Sequence, residues 1–270
     1  MRIALLADIH GNPIALDAVL ADIQARGGVD GYWVLGDLCA IGFDPASVVE
    51  RLAALPNALF VHGNADRYVT TADLPPPTID DARANPDLLP VVAEVAGSFA
   101  WTKGYLEARG LLGWLATLPL EHRLTLPDGT KVLLVHSAPG TDEFPDLNPG
   151  LTDEEFSTRV AGADADLICV GHFHVPMERR LNGVHAVNPG PVSNNFPMDQ
   201  RAAYAILTAD TSGYAIQFYR VDYDRQAAIE ATKRSSNPGA GYVLRFFEGK
   251  MRASWMDKWD GVSHIVKESL

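Results

Sequence analysis

Two periodicities alternate along the first third of the chain. Arg2-Ile3-Ala4-Leu5-Leu6-Ala7 is a short, nearly continuous apolar run that reads as a buried strand ending at Asp8. Asn12-Pro13 then opens a helix, with Asn12 as N-cap and Pro13 at its first position, and Leu16, Val19, Leu20 and Ile23 mark its buried stripe. Gly27-Gly28 stops it. Tyr32-Trp33-Val34-Leu35 forms a second strand leading to Gly36-Asp37, Asp44-Pro45 starts a helix carrying Val48, Val49 and Leu52, and Ala58-Leu59-Phe60-Val61 delivers Gly63-Asn64. This strand, helix, strand, helix, strand order predicts right-handed parallel crossovers and a sheet covered by helices.

The rhythm breaks after Val69. Residues 69–90 hold Pro75-Pro76-Pro77, Pro86 and many small or acidic residues, which is loop chemistry. Helices are predicted at Leu88–Ala100 and Tyr105–Leu118; their Phe99, Trp101, Tyr105 and Trp114 pack the insertion against the sheet or, alternatively, wall a site. Beyond Pro119, His122–Leu126 and Lys131–Val135 flank a Pro127-Asp128-Gly129 turn and read as a hairpin. Thr152-Asp153-Glu154-Glu155 is a capping box ahead of a helix, and Asp166–Val170 is a strand. Asn182-Gly183 is a two-residue turn between Met177–Leu181 and Val184–Val187, and further strands cover Ala202–Thr208 and Tyr214–Val221. Tyr223–Lys233 and Tyr242–Lys250 read as helices. The fold expected is α/β, a four-layer α-β-β-α sandwich with two mixed central sheets. One domain over 1–270 is expected, with a helical lid-like insertion at about 69–120 and a C-terminal extension at about 223–270.

Composition narrows the function. A formal net charge of −12 and a pI near 5.0 give no extended surface for nucleic acid or anionic membranes. No apolar run approaches the roughly 20 residues needed to span a bilayer. Cys39 and Cys169 form neither a CxxC pair nor a disulfide framework. The first strand starts at once, leaving no room for a cleavable signal peptide. A cytoplasmic protein is expected.

Candidate chemistry sits where the apolar segments end. Asp8-Ile9-His10, Gly36-Asp37, Gly63-Asn64, His136 and Gly171-His172-Phe173-His174 each close one. Any one of these alone reads as a strand-end polar group satisfying backbone; five together point to metal, since ligands gather where the strands of an open α/β sheet end. Residues two apart on extended chain share a face, so Asp8 and His10 can aim at one ion together, and His172 and His174 repeat that spacing. Two carboxylates, four imidazoles and one carboxamide suit borderline divalent ions such as manganese, zinc or iron better than calcium or magnesium.

Together with Asn188-Pro189-Gly190, these motifs resemble the calcineurin-like metallophosphoesterases, notably their small bacterial phosphodiesterase branch, with matches in order from residue 8 to residue 190. The resemblance implies Asp8, His10, Asp37 and His174 on one ion, and Asp37, Asn64, His136 and His172 on the other, with Asp37 bridging. The cofactors implied are two divalent transition-metal ions, manganese foremost, with iron, zinc or nickel as alternatives. It also implies hydrolysis of a phosphodiester or related nucleotide bond by a hydroxide held between the ions, with Asp37 and Asn64 as the catalytic pair. Many relatives carry His directly after Gly-Asn, where it assists the leaving group; here that position is Ala65, which favours diesters with acidic alcohols, or nucleotide anhydrides, over alkyl monoesters. A phosphomonoesterase, a dinucleoside polyphosphate hydrolase and a non-catalytic metal-binding scaffold are the alternatives. His62 and Arg67 are candidates for phosphate contact, beside the reading of Asp66 and Arg67 as an exposed surface pair. Gly190 is expected at positive φ, and Asn188 as an orienting group. His122, His185 and His264 match no motif and receive no role. The expected partner is a small phosphorylated or nucleotide substrate. Tyr242, Phe246, Phe247, Trp255 and Trp259 are expected to pack on their own domain, with a homodimer interface as the alternative.

Overall fold

The computed structural model describes residues 1–71 and 73–252. Its first sheet contains β1 (Arg2–Leu6), β2 (Gly31–Leu35), β3 (Ala58–Val61), β9 (Ala202–Asp210) and β10 (Gly213–Val221), in the order β10-β9-β1-β2-β3. The second contains β4 (Glu121–Thr125), β5 (Lys131–Val135), β6 (Leu167–Cys169), β7 (Met177–Leu181) and β8 (Val184–Asn188), in the order β4-β5-β6-β8-β7. Both are mixed. Strands β1, β2 and β3 run parallel, as do β5, β6 and β8, while β9, β10, β4 and β7 pair antiparallel.

Strand alternation builds the layers. Leu5, Trp33, Leu35, Ala205 and Leu207 of the first sheet face Leu134, Leu167, Cys169 and Val187 of the second, forming an apolar seam between them. The neighbouring residues Ala4, Leu6, Val34, Tyr204 and Ile206 point the other way. They meet Leu16, Val19 and Ile23 of α1 (Pro13–Ala25) and Val48, Val49 and Leu52 of α2 (Pro45–Ala53). On the far side, Leu133, Val135, Ile168 and Ala186 pack on Phe156 and Val160 of α7 (Asp153–Val160). The result is the α-β-β-α sandwich. Capping follows the sequence: the side chains of Asn12, Asp44 and Thr152 accept from Ala15, Ser47 and Glu155 backbone N–H groups.

The insertion is more helical than its composition predicts. After α3 (Asn64–Thr70), the proline-rich stretch contains a capped helix α4 (Ile79–Ala84). In place of two helices of similar length there is one long α5 (Leu89–Ala108) and a single turn α6 (Leu112–Leu115). Val92, Phe99, Thr102 and Leu106 keep one buried stripe running through Gly104, whose cost of about 1 kcal/mol in a helix that stripe outweighs. The break falls instead at Gly110, which takes φ +68°. In the C-terminal part, α8 (Arg225–Arg234) and α9 (Ala240–Phe247) pack together, and Val243, Phe246 and Phe247 bury against Phe43 and Ala228 of the same chain. Trp255, Trp259 and His264 lie outside the described residues. No helix among the described residues is long and apolar enough to cross a membrane.

Candidate metal centre

Every motif residue follows a strand at one shared end of the sandwich: Asp8 after β1, Asp37 after β2, Asn64 after β3, His136 after β5, and His172 and His174 after β6. The turns that hold them are tight. Asp8, His10, Asp37, His172 and His174 all take left-handed backbone, with φ of 54°, 48°, 55°, 69° and 57°. For residues with a Cβ that conformation costs about 1 kcal/mol or more each, and it persists only where surroundings impose it. Here the loops bind one another: Ile9 and His10 N–H both donate to the Asp37 carbonyl at 2.9 and 3.0 Å, and Gly171 N–H donates to the His136 carbonyl at 2.7 Å. Asn188 orients a neighbour, as expected, by donating from Nδ2 to the Gly171 carbonyl at 2.6 Å, and Gly190 takes φ +85°. Gly63 is required by space, because a Cβ there would overlap the Asp37 carboxylate.

Ligand atoms of Asp8, His10, Asp37 and His174 lie within 4.8 Å of one another. The Nε2 atoms of His10 and His174 face each other at 3.0 Å. Their Nδ1 atoms are at 2.9 and 2.8 Å from the backbone carbonyls of Ala40 and Asn194, which only an Nδ1–H can satisfy. Each neutral ring therefore presents an Nε2 lone pair, and two lone pairs at that separation need a cation between or beside them. His136 repeats the device, with Nδ1 at 2.6 Å from the Leu35 carbonyl and Nε2 at 3.5 Å from Asp37 Oδ1. His172 Nδ1 lies 3.1 Å from Asn64 Oδ1, and its backbone N–H donates to Asp8 Oδ1 at 3.0 Å. Asp8 Oδ2 and His136 Nε2 are buried with no hydrogen-bond partner. Orphaned buried acceptors beside a second carboxylate fit divalent metal.

The charge balance agrees. Burial, then the Asp37 charge, pushes the Asp8 carboxyl up to about 6, resisted by His136 and His10. Asp37 is equally buried, yet His136, His10 and His172 hold it well below the usual carboxylate range. Burial drives His172 down to about 3 and lowers His10 and His174. It also opposes charge on His136, but Asp37 and Asp8 outweigh it and raise that imidazole to about 10. The carboxylates thus call for a positive charge at this point, which is what a bound cation would bring.

The other candidates fall differently. Arg67 Nε donates to Asp142 at 2.7 Å and its terminal nitrogens reach Glu143 at 3.0 Å and Asp73 at 3.3 Å, so its guanidinium is committed to carboxylates. His62 Nδ1 lies 3.4 Å from the same Asp142. The surface reading of Asp66 is corrected: it is 1% exposed, and its carboxylate accepts from Leu38 and Gly63 backbone N–H groups at 2.9 and 3.0 Å. His122 and His185 are satisfied, by the Phe60 carbonyl and by Tyr214 and Glu178. Asn194 and Ala40, which anchor two imidazoles through backbone carbonyls, carry no side-chain signal and were not predicted. Beside the centre opens a cavity of about 340 Å³ whose walls include Tyr68 of α3, Phe99 of the insertion, Phe144, Phe196, and Tyr242 and Phe246 of α9. Of the insertion aromatics, Phe99 reaches this wall, whereas Trp114 packs edge-on against Phe60 and Trp101 against Tyr105.

Residues 1–212 match the family model described as the calcineurin-like phosphoesterase superfamily domain. An uncharacterized protein of Methanocaldococcus jannaschii is 30% identical over 252 residues, spanning 87% of this chain and 93% of its own length. A metallophosphoesterase from Sphaerobacter thermophilus superposes with a TM-score of 0.69 at 27% identity, over 93% of this chain and 100% of its own. A hypothetical protein from Pyrococcus horikoshii shares the fold, with a TM-score of 0.76 at 19% identity over 93% of this chain and 99% of its own.

Proposed function

Because this chain belongs to the calcineurin-like phosphoesterase superfamily, we propose that it is a phosphodiesterase with a dinuclear metal centre. Asp8, His10, Asp37 and His174 would hold one divalent ion, and Asp37, Asn64, His136 and His172 the other. The observation that carries this reading is the pair of Nε2 atoms at 3.0 Å, each ring anchored through Nδ1, beside an unpartnered Asp8 oxygen. Mixed nitrogen and oxygen donors suit borderline divalent ions over calcium or magnesium; manganese is the ion proposed, with iron, zinc or nickel as alternatives. Such ions, when bound, polarise phosphoryl oxygens and lower the pKa of water.

The chain's own residues set the rest. Asp37 stays ionised at full burial and can be shared between two cations, while Asn64 offers an oxygen without adding negative charge that would repel phosphate. Ala65, 1% exposed and part of the cavity wall, places a methyl where a proton donor would sit. His62 turns Nδ1 toward Asp142 and is not among the residues lining the cavity, so it does not stand in for that donor. Without that acid, esters of acidic alcohols are the favoured substrates, and diesters are favoured over alkyl monoesters. The two buried, unpaired cysteines suit a reducing, cytoplasmic setting.

The test is to strip the protein with chelator and restore manganese, iron, zinc, nickel or magnesium singly. An aryl phosphodiester, an aryl phosphomonoester and a dinucleoside polyphosphate are then assayed. Diester turnover above the other two is expected. Turnover of none, despite two bound ions, would leave a binding scaffold.

A further inference from the structure

The cavity wall is the part of the site that phosphoryl chemistry itself does not explain. Two groups of rings flank the Gly171-His172-Phe173-His174 segment. On one side, the Phe144 ring stands edge-on to His172 at 5.4 Å, and Phe144 is 70% exposed. On the other, Phe196 and Phe246 lie 6.1 and 6.3 Å from His174, and Tyr242 lies 5.6 Å from Phe246. Both His172 and His174 are thus bordered by aromatic surface that faces the same cavity.

Charge along this wall is equally informative. Among the described residues lining the cavity there is neither Lys nor Arg, and the acids are Asp37 of the centre and Asp146, which is paired with Arg159 at 3.1 Å. A polyphosphate chain would bring several negative charges to a wall whose neighbouring guanidiniums, Arg67 over Tyr68 and Arg245 over Tyr242, are already paired with Asp142, Glu143 and Glu94. A diester brings one charge and two arms. Flat arms would each find a ring face or edge, a contact that contributes beyond simple area burial.

We infer that the substrate is a phosphodiester with a single phosphoryl group and a planar aromatic group on each arm, one meeting Phe144 beside His172 and one meeting Phe196 and Phe246 beside His174. The inference rests on the phosphodiesterase reading above and specifies its substrate class. Phe246 and Tyr242 sit on α9, beyond the segment that matches the family model, so this selectivity is built partly by the chain's own C-terminal part. Nucleobases and simple aryl groups share the required chemistry.

Binding can be read without turnover. The manganese-loaded full chain is titrated calorimetrically with hydrolysis-resistant counterparts, carbon replacing the scissile ester oxygens, of dimethyl phosphate, methyl phenyl phosphate, diphenyl phosphate, a dinucleoside monophosphate and a dinucleoside tetraphosphate. Each phenyl is expected to tighten binding by about fivefold to tenfold. Phe144→Ala should cut the diphenyl-to-dimethyl affinity ratio by about the same factor at unchanged metal content, and Phe246→Ala should cut it likewise. Phe144 is exposed, so its variant does not depend on the core refilling. A dinucleoside monophosphate binding at least as tightly as diphenyl phosphate would assign nucleobases; the reverse order would assign simple aryl arms. Equal affinity for dimethyl and diphenyl phosphate, a tetraphosphate binding tighter than diphenyl phosphate, or a Phe144→Ala ratio equal to wild type would each overturn the inference. Hydrolysis without aryl preference would sink this inference alone, and aryl preference without hydrolysis would sink the catalytic reading alone.

Discussion

Asp66→Ala should destabilise the fold and loosen the metal centre together. The Asp66 carboxylate accepts Leu38 N–H through Oδ1 at 2.9 Å and Gly63 N–H through Oδ2 at 3.0 Å. Leu38 follows Asp37 and Gly63 precedes Asn64, so one buried side chain ties together the two loops that present those residues. A buried N–H left without a partner costs about 1–3 kcal/mol, so two make a loss of about 2–6 kcal/mol, centred near about 4. Asp66→Asn keeps one acceptor and turns its NH₂ toward the other donor, which by the same reckoning leaves about half the loss. Part is recovered, because burial and then the Asp37 charge already push the Asp66 carboxyl up to about 6, and a neutral amide escapes that opposition. The expected order in urea unfolding near neutral pH is wild type, then Asp66→Asn, then Asp66→Ala. Dialysis against limiting manganese should show lower metal content in the alanine variant. Unfolding of Asp66→Ala within about 0.5 kcal/mol of wild type, with full metal content, would refute the clamp.

Asp142 gives a pH-dependent test: burial would raise its carboxyl, but hydrogen bonds from His62 and Arg67 hold it at about 2, against an ordinary 3.8. Its folded value lies below its unfolded one, so a contribution of about 1 kcal/mol, after solvent screening, is present above about pH 4 and is lost as pH falls toward about 2. The stability gap between wild type and Asp142→Asn should close over that window; a gap independent of pH would contradict the assignment. Gly63→Ala, whose Cβ would also lie 2.5 Å from Asp37 N, should cost about 1–3 kcal/mol and lower manganese affinity in equilibrium dialysis. Chelation should lower the melting temperature, because ions at about 1,000 times their dissociation constant stabilise by about 4 kcal/mol; an unchanged melting temperature would argue against bound ions.

Reading the chain recovered the layers because each strand and helix carries its own period. Alternation through Ala4, Leu5, Leu6 and Ala7 already implies two buried faces, and Asn12, Asp44 and Thr152 announce helix starts through their side chains. The seven ligand candidates were visible because Asp, His and Asn recur directly after apolar runs. What escaped was set by backbone or by tertiary contact. The carbonyls of Ala40 and Asn194 leave no side-chain trace, and Asp66 looks like a surface acid until Leu38 and Gly63 are brought to it. Of the aromatic wall, Phe99 had been offered as an alternative to core packing, while Phe144, Phe196 and Phe246 escaped because they come from three further separate segments. Helix α5 outran its predicted end because the stripe through Thr102 and Leu106 outweighs one glycine.

The oily seam between the sheets has little directional grip, and apolar layers resist separation better than shear. At one end, however, Asp8, Asp37 and Asn64 come from the first sheet while His136, His172 and His174 come from the second. Cations seated among them would act as rivets through two plates, pinning their registration at that edge alone. Emptying them should let amide hydrogens near residues 8, 37 and 171 exchange faster while those at the opposite edge keep their protection, making the sandwich a hasp that ions fasten.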